Sequence, residues 1–151
     1  MKHYRHIKSQ AFTLIEVMVV VVIMAILAAI IVPQILSRPD QAREVAAKQD
    51  ILSIENAMEL YKLDNGLYPS SAQGVDALVT KPSSDPAPQN WSGPYIKGHV
   101  PKDPWGNAYH FQNPGQHGDI DIFTYGAKNQ PGGKGADATI GNWDTKNKSA
   151  Q

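Results

Sequence analysis

The chain contains no cysteine, which excludes a disulfide framework, a thiolate zinc site, a haem-attachment motif and a cysteine nucleophile. It also has no excess of charge of either sign, with 14 Lys and Arg against 14 Asp and Glu. A nucleic-acid footprint normally shows as a basic domain, so no nucleic-acid partner is expected. No glycine-rich phosphate loop precedes a helix. His99, His110 and His117 have no obvious metal-ligand spacing, and His3 and His6 lie in the N-terminal leader. Asp119 and Asp121 stand two apart on an expected strand, which puts both on one face and sketches a paired-carboxylate site; a solvated face accounts for them more simply. No catalytic residue is expected, and the chain does not read as an enzyme. Its 151 residues make about one domain.

The balanced total hides an uneven distribution. Lys2, Arg5 and Lys8 stand in residues 1–11 without an acid, leaving 11 of the 14 bases with all 14 acids in residues 12–151. Residues 17–32 are uninterrupted apolar sequence, and residues 12–36 carry one charge, Glu16. As a helix those residues would span about 37 Å, enough to cross a hydrocarbon core of about 30 Å. A cleaved secretory signal would carry a small-residue site after its apolar stretch. Here the apolar sequence runs on past residues 25–29 (AILAA), and the small residue, Ala11, comes before it. An anchor is favoured, and the basic leader keeps its N-terminus cytoplasmic.

Glu16 is the informative residue, because a carboxylate in an apolar segment costs about 2.5–3.5 kcal/mol on insertion scales unless a cation meets it. Near the helix end it could reach the headgroups. Alternatively, proteolysis before Phe12 would expose an α-amino group, and Glu16 of one subunit would neutralise that amine on its neighbour. Such pairing would set the register of a filament.

Pro33 removes a backbone donor and crowds the preceding turn, so a kink or local melting of the helix is expected there, with Pro39 repeating the interruption. Helix resumes from residue 40 to 62, where Val45, Ile51, Leu52, Ile54, Met58 and Tyr61 form an apolar stripe. Arg43, Glu44, Lys48, Asp50, Glu55 and Glu59 keep the other face wet. Gly66 suits the left-handed end of that helix. A short helix is expected over residues 71–80 with Val75, Leu78 and Val79 inward. A long irregular loop follows over residues 81–94, of the kind that serves binding or assembly. Residues 107–112 and 119–125 read as a hairpin around the turn 113–118, with Ile120, Ile122 and Thr124 sharing a face. Residues 140–145 would add a third strand anchored by a buried Trp143. The fold class is α+β: one long helix on a small antiparallel sheet of about three strands, with a long αβ loop.

Residues 11–17, Ala11-Phe12-Thr13-Leu14-Ile15-Glu16-Val17, resemble the processing site of type IV pilins and pseudopilins. The resemblance implies a prepilin peptidase that cuts between Ala11 and Phe12 and methylates the new amine of Phe12. The family usually has Gly before the Phe; Ala11 stays small but adds a Cβ, so slower processing is expected. Family members carry Pro at position 33, where their helices unwind in filaments. Further along, Tyr61 to Pro69 (YKLDNGLYP), residues 73–79 (QGVDALV), 103–107 (DPWGN), 114–118 (PGQHG), 121–123 (DIF) and 140–143 (IGNW) resemble the major pseudopilins of the bacterial type II secretion system. This implies a type IV pilin-like fold and a structural subunit with a leader over 1–11, a transmembrane assembly helix over 12–36 and a periplasmic domain over 37–151. The implied partners are copies of itself, minor pseudopilins, the prepilin peptidase, the inner membrane and its secretion platform. Such a polymer drives export of folded proteins across the outer membrane. A type IV pilin, a minor pseudopilin, and a membrane-anchored periplasmic binding module that never polymerises remain the alternatives; true pilins commonly close a C-terminal loop with a disulfide, which this chain cannot make.

The resemblance also implies Ca²⁺ in the loop of residues 125–139, but the ligand set is incomplete. The usual acids are replaced by Lys128 and Thr139, and Asp137 is the acid that remains. Ca²⁺ takes six to eight oxygens, commonly with several carboxylates. The loop is therefore expected to be held without metal, with the Lys128 ammonium in the ion's place; a weak site on Asp137, Thr139 and carbonyls is the alternative.

Overall fold

A computed structural model describes the backbone of residues 13–146 and, within them, the side chains of residues 13–29 and 39–145. Helix α1 runs Leu14–Asn65. The expected restart of helix after Pro39 is not observed, since α1 continues through Pro33 and Pro39. A proline deletes one hydrogen bond of the ladder while its neighbours keep theirs, so helix on both sides can carry it. The chain divides into two compact units, Met1–Arg38 and Pro39–Gln151.

In the first unit, every large apolar side chain from Leu14 to Leu27 is exposed, from Val20 at 49% to Leu14 at 80%. Among the described residues, no helix is long and apolar enough to cross a membrane. The stretch of this run whose side chains are described, residues 14–29, covers about 24 Å at 1.5 Å per residue.

In the second unit, α1 buries Ala47, Ile51, Ile54, Ala57, Met58 and Tyr61. That stripe is narrower than expected: Val45 is exposed and Leu52 half-buried, while the small Ala47 and Ala57 take core positions. Gly66, with φ 78°, closes the helix, its N–H bonded to the Lys62 carbonyl. The expected helix over 71–80 is a single 3₁₀ turn, Val75–Leu78, and Ala77 with Leu78 rather than Val79 points inward. Strands β1 (His110–Gln112), β2 (Asp121–Thr124) and β3 (Ile140–Gly141) form an antiparallel sheet in that order. Phe111 lies opposite Ile122, and Thr124 opposite Ile140. Ile120, Ile122, Thr124, Tyr109 and Ile140 meet the helix stripe in one core.

The third strand is shorter than expected, because the chain turns at Asn142 into a short helix α2, Asn142–Lys146. The Asn142 side chain takes over the ladder there, accepting from Ile122 N–H at 3.2 Å and donating to the Ile120 carbonyl at 3.1 Å. Trp143 thereby leaves the core, half-buried on the outer face of the sheet. The long loop is pinned rather than loose: Tyr95 N–H bonds the Leu78 carbonyl at 2.7 Å, and Trp91 Nε1 bonds the Ala77 carbonyl at 3.0 Å.

Candidate functional site

Two regions carry the residues that the sequence singled out. Of the expected processing site, Ala11 and Phe12 lie outside the described residues. The side chain of Pro33 lies outside them too. Glu16 is exposed in the first turn of α1. Its N–H bonds the Thr13 carbonyl at 3.1 Å and the Thr13 hydroxyl at 3.4 Å. Thr13 thus caps the helix, a role legible in the spacing Thr13-x-x-Glu16 ahead of an apolar run. Glu16 also sits where the helix dipole favours negative charge.

The second region is the loop of residues 125–139. Its start is fixed by a buried knot: the Asp103 carboxylate accepts from Trp105 N–H at 3.0 Å, Asn107 N–H at 2.7 Å and the Thr124 hydroxyl, and Thr124 Oγ1 accepts from Gly126 N–H at 3.1 Å. The loop then folds on itself, with Ala127 N–H bonded to the Ala136 carbonyl at 2.9 Å. Gly126 has φ 70°, and a Cβ there would meet the Ala136 carbonyl oxygen, so no other residue fits without strain. Lys128 Nζ reaches Asp137 Oδ2 at 2.7 Å, and this carboxylate raises the Lys128 pKa above its ordinary value. Thr139 does not join them. It lines a cavity of about 330 Å³ with Gln112, His117, Asp121, Phe123 and Trp143.

The expected paired carboxylates are separated in environment. Asp119 is exposed and lies 3.6 Å from Lys62 Nζ, but Asp121 is buried, against the expectation of a solvated face. Its carboxylate accepts from Gln116 N–H at 2.8 Å, His117 N–H at 3.2 Å and His117 Nδ1 at 2.9 Å, closing the hairpin turn. Burial pushes the Asp121 pKa up, but the His117 ring and the two backbone N–H groups outweigh it and hold it below the ordinary carboxylate range. His117 in turn stacks on Trp143 with centroids 3.8 Å apart. His110 stacks on Phe123 and lies 3.3 Å from the Asn129 amide oxygen. Among the described residues, no group of three or more acidic or histidine side chains comes together as a metal site.

Three acids expected on the wet face of α1 fasten it to the rest of the second unit. Asp50 accepts from the Tyr109 hydroxyl at 2.9 Å, Glu55 from Asn142 Nδ2 at 2.9 Å and Glu59 from the Tyr68 hydroxyl at 2.6 Å. Burial first, and then the partner carboxylate, raise the pKa of both tyrosines, so the hydroxyls stay protonated donors. Helical periodicity carries no signal for these bonds, since each partner is remote in sequence.

Comparison with known proteins joins the two regions. The family described as type II secretion system, protein G, matches residues 34–143, and the prokaryotic N-terminal methylation motif matches residues 7–32. The type II secretion system core protein G of Pseudomonas aeruginosa is 52% identical over 137 residues, covering 91% of this chain and 96% of its own. That of Vibrio cholerae is 53% identical over 138 residues, covering 91% and 93%. A crystal structure of the major pseudopilin from the type 2 secretion system of enterohaemorrhagic Escherichia coli superposes with a TM-score of 0.65 at 39% identity, covering 72% of this chain and 93% of that one. The fold is thus type IV pilin-like, and the chain belongs to the protein G family of the type II secretion system, a family of structural pseudopilins.

Proposed function

We propose that this chain is the repeating subunit of a type II secretion pseudopilus, held in the inner membrane before assembly and polymerised through its N-terminal helix to drive folded proteins across the outer membrane. The observation that carries the reading is that the large apolar side chains of residues 14–27 are exposed. Burying a Val, Leu or Ile side chain is worth about 1.5–3 kcal/mol, so a bilayer first, and then the helices of other copies, supply what the subunit lacks. Between helices in a filament the drive is close packing rather than transfer from water.

In this reading Lys2, Arg5 and Lys8 keep the leader cytoplasmic and place the second unit in the periplasm. The prepilin peptidase cuts between Ala11 and Phe12 and methylates the Phe12 amine. The secretion platform then feeds subunits into a polymer that minor pseudopilins begin. Glu16 accepts the Phe12 amine of an adjacent copy and fixes the stagger. Pro33, which lacks the donor for one helical bond, marks where α1 kinks or unwinds as the polymer extends.

Glu16 has a second reading with its own observation, the Thr13 cap, in which the acid serves only the helix start. Glu16→Gln separates the two, because glutamine suits the third helical position as glutamate does but carries no charge. The test is chemical crosslinking of native membranes together with export of a secreted protein. Pairing predicts ladders of subunits in the parent, and loss of ladders and export in Glu16→Gln with membrane insertion retained. Normal export by that variant leaves capping as the role of Glu16. A strictly monomeric parent makes the chain an anchored binding module and defeats the polymer reading.

A further inference from the structure

We propose that Lys128 is a built-in counter-ion for Asp137, so that the loop of residues 125–139 keeps its shape with no divalent cation where the family resemblance implies calcium. The donor set does not fit that ion. Asp137 is the one carboxylate in the loop sequence, and an ammonium lies 2.7 Å from its Oδ2. Four carbonyls of the loop already accept hydrogen bonds. Gly126 O accepts from Asn129 N–H at 3.2 Å and Asn107 Nδ2 at 3.1 Å, Ala136 O from Ala127 N–H, and Lys134 O and Gly135 O from Asp137 and Ala138 N–H at 3.2 and 3.0 Å. Calcium needs six to eight oxygens at about 2.3–2.6 Å. Here it would have to displace the Lys128 ammonium from Asp137 and find its remaining oxygens without a second loop carboxylate.

The backbone explains why one ion pair is enough. At Gly133 a Cβ would run into the Asp137 carbonyl, and at Gly126 into that of Ala136, so the two arms of the loop lie in close backbone contact. Lys128 and Asp137 tie those same arms. The outer ends are fixed independently, at Gly126 by Thr124 and at Ile140 by its pairing with Thr124. A metal would cross-link arms that are already held at their outer ends, through a backbone hydrogen bond at Ala127 and through a side-chain cation in between. The inference stands whether or not the chain polymerises.

The test is amide hydrogen exchange and thermal unfolding of the full-length protein in detergent, with excess CaCl₂ and with chelator. Exchange over residues 125–139 and the unfolding temperature are expected to be the same in both. Lys128→Met should speed exchange in that loop about threefold, the change an exposed ion pair of ordinary strength produces, with the helix peptide over residues 51–61 unchanged. Lys128→Arg should restore it. Slower loop exchange in calcium, or a rise of several degrees in the parent's unfolding temperature, would overturn the metal-free loop. Parent-like exchange in Lys128→Met would overturn the role of the lysine.

Discussion

The two units of this chain solve the same problem in opposite ways. In the second, Ile51, Ile54, Met58 and Tyr61 are fully buried against Leu78 and Ile122, and the acids flanking the stripe bond Tyr109, Asn142 and Tyr68. In the first, apolar residues of the same kinds are exposed and carry one acid among them. One unit closes an apolar core of its own. The other is a surface waiting for a medium, and the contrast teaches that the subunit's stability and its function are written in different stretches of chain. A change in the first should therefore alter assembly and leave the fold, whereas a change in the second should do the reverse.

The sharpest way to break that division is Glu16→Ala. Export is expected to fall to background while the protein stays in the membrane and its second unit unfolds at the parental temperature; a matching loss of thermal stability would erase the distinction. Next in size is Ile54→Ala, which deletes buried methyl groups from a closed core and should cost about 2–5 kcal/mol in denaturant unfolding. Tyr109→Phe should cost less, about 1–3 kcal/mol, since it leaves the Asp50 carboxylate without its donor.

Acid supplies a fourth probe. The folded-state pKa of Asp121 lies below its ordinary value of 3.8. Its contribution is therefore fully present above that value and is lost as pH falls through the folded one. Unfolding monitored between about pH 5 and 2 should show Asp121→Asn less acid-sensitive than the parent; equal sensitivity would remove Asp121 from the turn's stability. The smallest effect is expected at Leu63, 79% exposed at the end of α1, where Leu63→Ser should change stability by less than about 0.5 kcal/mol.

Much of this was legible from periodicity. The stripe through Ile51, Ile54, Met58 and Tyr61, the hairpin about residues 113–118 and the shared face of Ile120, Ile122 and Thr124 follow from spacings of 3.6 and 2. What periodicity could not show were polar groups whose partners are distant in sequence. Asn142 ends β3 because its amide reaches Ile120, Ile122 and Glu55, and Trp143 is turned outward as a result. Asp121 reads as a solvated acid until the turn that it closes is folded. Likewise the single 3₁₀ turn at Val75–Leu78 follows from Gly74, whose φ of 63° starts it abruptly. The Lys128–Asp137 pair was visible at the level of charge type, but only the folded loop brings the two within 2.7 Å.

The central claim, that the apolar unit is processed for assembly, is tested most directly by the intact mass of the protein extracted from native membranes. The account predicts a chain that starts at Phe12 and carries one added methyl group. A chain that still begins at Met1, or one that starts beyond Leu36, would contradict it.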